Sequence, residues 1–371
     1  MEKDVSLKKK LDALQNLARE RTVKTQNIEY DLETLVKKIK KGVIKINPDY
    51  QRNHRWKNIT SSKLMESLIL NIPVPTIYLS QDIDVDEEVE DDVARYSVID
   101  GQQRLTAIYY FMSNAYELEG LEILEPLNGM YYKNLPPFLI RRLEERTIKC
   151  LRIDSTVDSQ VKYDIFERLN SGSVQLEAQE LRNAVYRGKF NELIKELAKH
   201  KYFREMLNIR EKNPDENTKV KKMEDVEIVL RFFALEDDGL KVLKKSFKDF
   251  LSEQMANFNN CTDEELKAKK QNFINVMNII YEKFGSKAFA KYKVVDGKLK
   301  LTTKFNASVY DALAIAVSMN LKDGTLKTEK QNIKQFEVLF RNGEFFDSIQ
   351  GSTNDKSKIT KRINMVREVL S

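Results

Sequence analysis

Apolar positions in the first half of the chain alternate between a helical period and short extended runs. Leu32, Leu35, Val36 and Ile39 follow i, i+3, i+4, i+7, which predicts a helix capped by Asp31. Lys37, Lys38, Lys40 and Lys41 crowd its last turns, where cations suit the helix dipole, and Gly42 fits the position just past its end. Residues 43–46 read as a short strand stopped by Asn47-Pro48. A second helix is expected over 60–70, with Leu64, Met65, Leu68 and Ile69 inward. Residues 72–79 read as a strand entered through two prolines, which suits an edge or a strand start. Another apolar strand, 96–99, runs directly into Asp100-Gly101-Gln102-Gln103-Arg104, with a helix from Leu105 to Met112. The stretch 113–145 reads as irregular and partly helical, and 148–153 as a strand.

Helical periodicity then takes over. Helices are expected over 158–169, 177–186, 190–200, 223–235, 239–258, 263–285, 306–320 and 359–370. Asn170-Ser171-Gly172 is a turn, and residues 294–301 around Gly297 read as a small hairpin. Residues 211–222 carry no apolar pattern and read as a linker or long loop. The pattern divides the chain into a basic leader over 1–24, a mixed α/β domain over 25–200 and a helical domain over 201–371, with no internal repeat.

Composition narrows the class. With 371 residues, 41% of them hydrophobic, the chain buries a real core. Only 12 Gly and 7 Pro disfavour a large all-β architecture, which needs more turn residues. Net charge is +6 on a charge-dense chain, which permits nucleic-acid contact without demanding it. Cys150 and Cys261 stand far apart, so neither a disulfide framework nor a cysteine zinc site is expected, and a reducing cytoplasm is the natural compartment. Histidine is confined to His54 and His200, too few for histidine-rich metal chemistry. The charged start has no apolar core of a signal peptide, and no apolar run is long enough for a membrane span.

The strongest chemical signal is VIDGQQRLTAI, residues 98–108. A helix start offers backbone N–H groups to phosphate, and Gly101 allows close backbone approach. Arg104 presents a planar fork for phosphate oxygens, and Asp100 at the strand end is placed to hold magnesium or orient a water. The same run also reads as an ordinary capped strand–turn–helix. A second block, Tyr50-Gln51-Arg52 followed by Trp56, offers another arginine and a stacking ring; a lone Trp equally reads as core packing. Two further blocks are FERLNSG, residues 166–172, and QELRNA, residues 179–184, the latter read as a solvated helix face. Eight carboxylates over 81–95 lack the spacing and turn glycine of a calcium loop and read as a mobile hairpin loop. The phosphate-binding patterns GxxxxGK[ST] and GxGxxG are both absent.

The set NPDYQR…W, IPVPTIYL, YSVIDGQQRLTAI, FERLNSG and QELRNA, in this order, resembles the DGQQR-motif family, which contains the N-terminal domain of GmrSD-type restriction enzymes and many stand-alone bacterial relatives. The resemblance covers residues 25–200 and implies an α/β (α+β) domain similar to the ParB/sulfiredoxin superfamily, followed here by a mostly α-helical domain. It implies binding and hydrolysis of a nucleoside triphosphate, with Mg2+, in defence against phage or modified DNA. Carried over by position, Asp100, Gln103 and Arg104 would be catalytic, with Asp100 on the metal. Gln51, Arg52, Gly101, Gln102, Arg168 and Asn170 would bind the nucleotide. DNA and a partner effector nuclease are the implied macromolecular partners. Full restriction members add an HNH nuclease domain, and this chain has no matching histidine motif, so HNH cleavage is not expected of it. Two other readings stay open: a metal-dependent DNA-nicking nuclease, and a non-catalytic nucleotide-gated switch that binds DNA or recruits a partner. The second draws on the basic clusters Lys8–Lys10, Lys37–Lys41, Lys219–Lys222 and Lys356–Arg362.

Overall fold

A computed structural model describes residues 24–46, 56–81, 95–154, 157, 159–169, 176–210, 212–236, 239–244 and 246–371. The leader over 1–23, Gln51, Arg52, His54, the acidic stretch 82–94 and Asn170 lie outside the described residues. The chain divides into two compact units, Met1–Gln175 and Leu176–Ser371.

The first unit is built on a mixed sheet of β1 (Thr25–Asp31), β2 (Ile44–Lys45), β3 (Ile77–Gln81), β4 (Tyr96–Asp100) and β5 (Thr147–Ile153), in the order β1-β5-β3-β4-β2. β1 runs antiparallel to β5, and β4 antiparallel to β3; the β3–β5 and β2–β4 pairs are parallel. The helices are α1 (Leu32–Lys40), α2 (Asn58–Ile69), α3 (Gln102–Met112), α4 (Pro137–Glu144) and α5 (Ser159–Leu169). α1 forms as its pattern requires. Asp31 Oδ1 accepts from the Thr34 N–H at 2.7 Å, Leu32 and Leu35 are buried, and Gly42 leaves the helix at φ +74°. On α2, Met65, Leu68 and Ile69 face the core. Glu66 is buried beside them because its carboxylate accepts the backbone N–H groups of Ile123 (2.9 Å) and Leu124 (2.8 Å). That pair of bonds, with Ser62 Oγ accepting from Glu119 N at 3.0 Å, pins the irregular connection after α3 to α2.

Three local differences from the sequence reading have physical causes. The expected strand over 72–79 begins only at Ile77, because Pro73 and Pro75 have no N–H for a ladder. The helix expected from Leu105 begins at Gln102, so both glutamines and Arg104 lie in its first turn. β1 has no counterpart in the sequence reading: TQNIEYD holds only two apolar residues, Ile28 and Tyr30, in a polar run, and pairing with β5 makes it a strand.

The second unit is helical: α6 (Ala178–Val185), α7 (Lys189–Leu197), α8 (Lys201–Met206), α9 (Thr218–Lys221), α10 (Glu224–Leu235), α11 (Gly239–Val242), α12 (Phe247–Phe258), α13 (Asp263–Phe284), α14 (Ala307–Lys322), α15 (Lys330–Leu339), α16 (Gly343–Ser348) and α17 (Lys356–Val369). One hairpin, β6 (Lys291–Val295) and β7 (Lys298–Thr303), interrupts them. α10 and α14 are buried on nearly all sides and form the centre of the unit. The units part between Gln175 and Leu176, whereas the sequence pattern changes near 200; α6 and α7 pack on α10 and α12 and so lie in the helical unit. The span 239–258 is two helices rather than one, with Ser246 capping the second: its Oγ accepts from Asp249 N at 3.2 Å. The α/β first unit and helical second unit agree with the fold class read from the sequence. Among the described residues, no helix is long and apolar enough to cross a membrane.

Candidate functional site

β4 brings Asp100 to the edge of its unit's core. The pairing with β3 shifts just before it: Val98 faces Leu79, Asp100 faces Tyr78, and Ile99 is the extra residue. Such a bulge bends the strand and re-aims the side chain that follows. Gly101 then turns the chain at φ +94°, a conformation that an L side chain resists, and α3 starts at the next residue. Gly101, as the cap residue, has no side chain of its own to cap the helix. A Cβ on Gly101 would lie 2.9 Å from Ile77 Cγ1 and 3.2 Å from Arg104 Nη2, so the glycine is required by space as well as by angle.

Arg104 folds back under this turn. Its Nη2 donates to Asp100 Oδ2 at 2.7 Å, and its Nη1 donates to the carbonyls of Pro75 and Thr76. The guanidinium is thus largely buried, while the Asp100 side chain stays 39% exposed. The ion pair spans the glycine hinge from i to i+4 and locks the strand end to the helix start. The charge of Arg104 also reaches β5 below. Burial pushes the Cys150 thiol up to about 12, with Arg104 pulling the other way. Cys150 is therefore an inert buried thiol.

Gln103 connects the turn to the second sequence block: its Oε1 accepts from the Trp56 N–H at 3.3 Å. Gln102, half-buried, is the first residue of α3. Arg168 is exposed in the last turn of α5, a helix that packs against β4. The structure thus brings Asp100, Gly101, Gln102, Gln103 and Arg104 together with Trp56, and sets Arg168 on a helix beside the same strand. Sequence reasoning missed the carbonyls of Pro75 and Thr76. The two prolines were the signal: residues kept out of a ladder leave carbonyls for other donors.

QELRNA is corrected. Gln179 through Ala184 are all buried rather than solvated. Arg182 is 1% exposed because it has enough partners: Gln179 Oε1 (3.0 Å), Glu227 Oε2 (2.9 Å), Ser252 Oγ (3.1 Å) and the Lys248 carbonyl (3.2 Å). This block braces the helical unit. His200 is likewise structural. Its Nδ1 accepts from Phe203 N at the start of α8, and burial lowers its pKa.

A carboxylate set for a protein-built metal cage is not present: no group of three or more His, Cys, Asp or Glu side chains is placed to hold a metal among the described residues. Asp100 alone fits the weaker demand of magnesium, which is commonly held by one carboxylate together with phosphates and water.

A part-exposed acid at a bulged strand end and a left-handed glycine at a helix start define an α/β domain with a polar turn built for close backbone approach. Residues 32–187 match the family described as GmrSD restriction endonuclease, N-terminal domain. The match begins at α1 and runs through α6. Comparison with curated proteins and with solved structures finds no match.

Proposed function

We propose that this chain binds and hydrolyses a nucleoside triphosphate at the DGQQR turn, as part of a bacterial restriction or anti-phage system. The observation that carries the reading is the start of α3 behind Gly101, a cap residue with no side chain of its own, with the part-exposed Asp100 carboxylate beside it. The N–H groups in the first turn of a helix form an anion site, and the macrodipole adds to it. Asp100 would hold Mg2+ between its exposed edge and the phosphates, and Gln102 and Gln103 would supply neutral donors and acceptors. Arg104, already committed to Asp100 and two carbonyls, serves first to fix the turn and to set positive charge beneath it. Gln51, Arg52 and Asn170 are assigned to the same site by the family resemblance, as is the exposed Arg168. Mg2+ would supply charge neutralisation on the phosphates, the dominant need in phosphoryl transfer. DNA is the partner on which such a system acts, with an effector nuclease as a second chain.

The test is phosphate release from the four triphosphates with magnesium, for the wild type beside Asp100→Ala and Arg104→Ala. Loss of one charge-stabilising group at the site is expected to lower turnover about 100-fold. Wild-type rates in Asp100→Ala would remove the assignment. Nicking of plasmid DNA by the wild type, lost in Asp100→Ala with no nucleotide added, would favour the nuclease reading instead.

A further inference from the structure

The helical unit carries a lysine-rich ribbon, of which Lys291 alone turns inward, donating to the Ile349 carbonyl. β6 and β7 pair antiparallel through a two-residue turn, Asp296 at φ +52° and Gly297 at φ +72°, the left-handed pair of a tight hairpin. The ribbon KYKVVDGKLKLTT holds four lysines against one aspartate, and Lys287 and Lys304 flank it. Register sorts its side chains onto two faces. Tyr292 faces Leu301 and Val294 faces Leu299 on one; Lys293 faces Lys300 and Val295 faces Lys298 on the other.

The apolar face meets the helical body only in part: Val294 and Leu301 are exposed, and Tyr292 and Leu299 are half-buried. The Tyr292 ring meets the buried Phe340 edge-on at 5.4 Å, and Arg341 Nη1 donates to the Gly297 carbonyl at 2.9 Å, which holds the turn down. The other face is left to solvent with Lys293, Lys298 and Lys300 exposed. Like charges directly opposite each other on a ribbon are destabilising, so the Lys293–Lys300 pair is a cost that folding does not explain. Lys293 and Lys298 make no ion pair among the described residues, and Lys300 has only the exposed Asp296 at 3.6 Å.

In the basic clusters singled out in the sequence, of which Lys8–Lys10 lie outside the described residues, four cations meet a carboxylate. Lys37 is paired with Glu33, Lys222 with Glu177, Lys361 with Glu344, and Arg362 is buried on Asp311. Lys219 and Lys358 donate to backbone carbonyls. Lys38, Lys40, Lys41, Lys221 and Lys356 meet no carboxylate among the described residues, as Lys293 and Lys298 do not, and Lys291 donates to the Ile349 carbonyl; what sets the ribbon apart is a pair of exposed lysines held directly opposite each other.

We propose that the basic face of the β6–β7 ribbon binds the phosphate backbone of duplex DNA. A two-stranded ribbon fits a DNA groove, and lysines facing each other across it can reach phosphates that a single row cannot. The ribbon reads no sequence by itself; phosphate contacts supply position and affinity. The choice of DNA among polyanions rests on the restriction-system reading above. Binding is measured without nucleotide, whereas that reading is judged by phosphate release, so the two fail separately.

The experiment is titration of the full chain with a 30-base-pair duplex of arbitrary sequence over a range of salt. The variants are the double substitutions Lys293→Ala/Lys300→Ala and Lys293→Arg/Lys300→Arg. Each lost phosphate contact lowers the slope of log affinity against log salt by about 0.9, so the alanine pair should lose about 1.8 in slope and 10- to 100-fold in affinity at 0.1 M salt. The arginine pair should keep both. The alanine pair should unfold at the same or higher denaturant concentration, because a like-charge contact is removed. Unchanged DNA affinity in the alanine pair would overturn the proposal. So would a wild type that fails to bind duplex DNA, or one whose ribbon lysines matter only for anionic vesicles or polyglutamate.

Discussion

Gly101→Ala tests how the site is built. The substitution asks a residue with a Cβ to hold φ +94°, and it places that Cβ 2.9 Å from Ile77 Cγ1 and 3.3 Å from Ile77 Cγ2. Ile77 cannot retreat: it is fully buried on β3, between β5 and β4. Left-handed backbone costs a residue with a Cβ about 1–2 kcal/mol, and forcing a methyl into a packed core costs about 1–3 kcal/mol more. Together the loss should be about 2–5 kcal/mol. Gly42→Ala separates the two contributions, since Gly42 has φ +74° with nothing within 4 Å of an added methyl and should lose only about 1–2 kcal/mol. Trp56 is the sole tryptophan and lies in the first unit, so urea unfolding followed by its fluorescence reports that unit. In an Ile77→Ala background, the Gly101→Ala cost should fall toward that of Gly42→Ala, leaving only the 3.2 Å approach to Arg104 Nη2. Equal losses for the two glycines in the native background would refute the steric argument. So would a Gly101→Ala cost that persists undiminished beside Ile77→Ala.

Two further outcomes are expected. Asp31→Ala should destabilise the first unit by about 1 kcal/mol, with Asp31→Asn close to wild type, because either side-chain oxygen can accept from Thr34 N. The Thr34 backbone N–H holds the Asp31 carboxyl below its ordinary pKa. Its stabilisation is therefore complete above about pH 4 and fades as pH falls through the lowered value; a gap between wild type and Asp31→Ala that widens in acid would contradict this. Asp311→Asn should destabilise the second unit by about 3–5 kcal/mol, measured by denaturant unfolding, since Arg231 and Arg362 both donate to this buried carboxylate and would be left uncompensated. A loss under about 1 kcal/mol would show that the two arginines find other acceptors.

Much of the first unit was legible because local rules and tertiary packing agree there. The cap at Asp31, the apolar face of α1 and the exit at Gly42 all follow from nearest neighbours, and the structure keeps them. The Asp-Gly turn of the hairpin is legible for the same reason. β1 was hidden because its polar run becomes a strand only when β5 pairs with it, over a separation that no local pattern reports. QELRNA read as solvated because polar residues usually are; Arg182 is inside because Gln179, Glu227 and Ser252 converge on it from three helices.

The DGQQR segment shows where the division falls. By itself the sequence announces an acid, a glycine and an arginine between a strand and a helix, and so the kind of turn and its taste for anions. Only the tertiary structure decides that Arg104 turns inward to Asp100 and the carbonyls before Ile77, because those carbonyls lie just ahead of β3, which pairs antiparallel with β4. It likewise decides which lysines remain unanswered: charge can be counted along a chain, but whether a carboxylate stands opposite depends on contacts between distant segments.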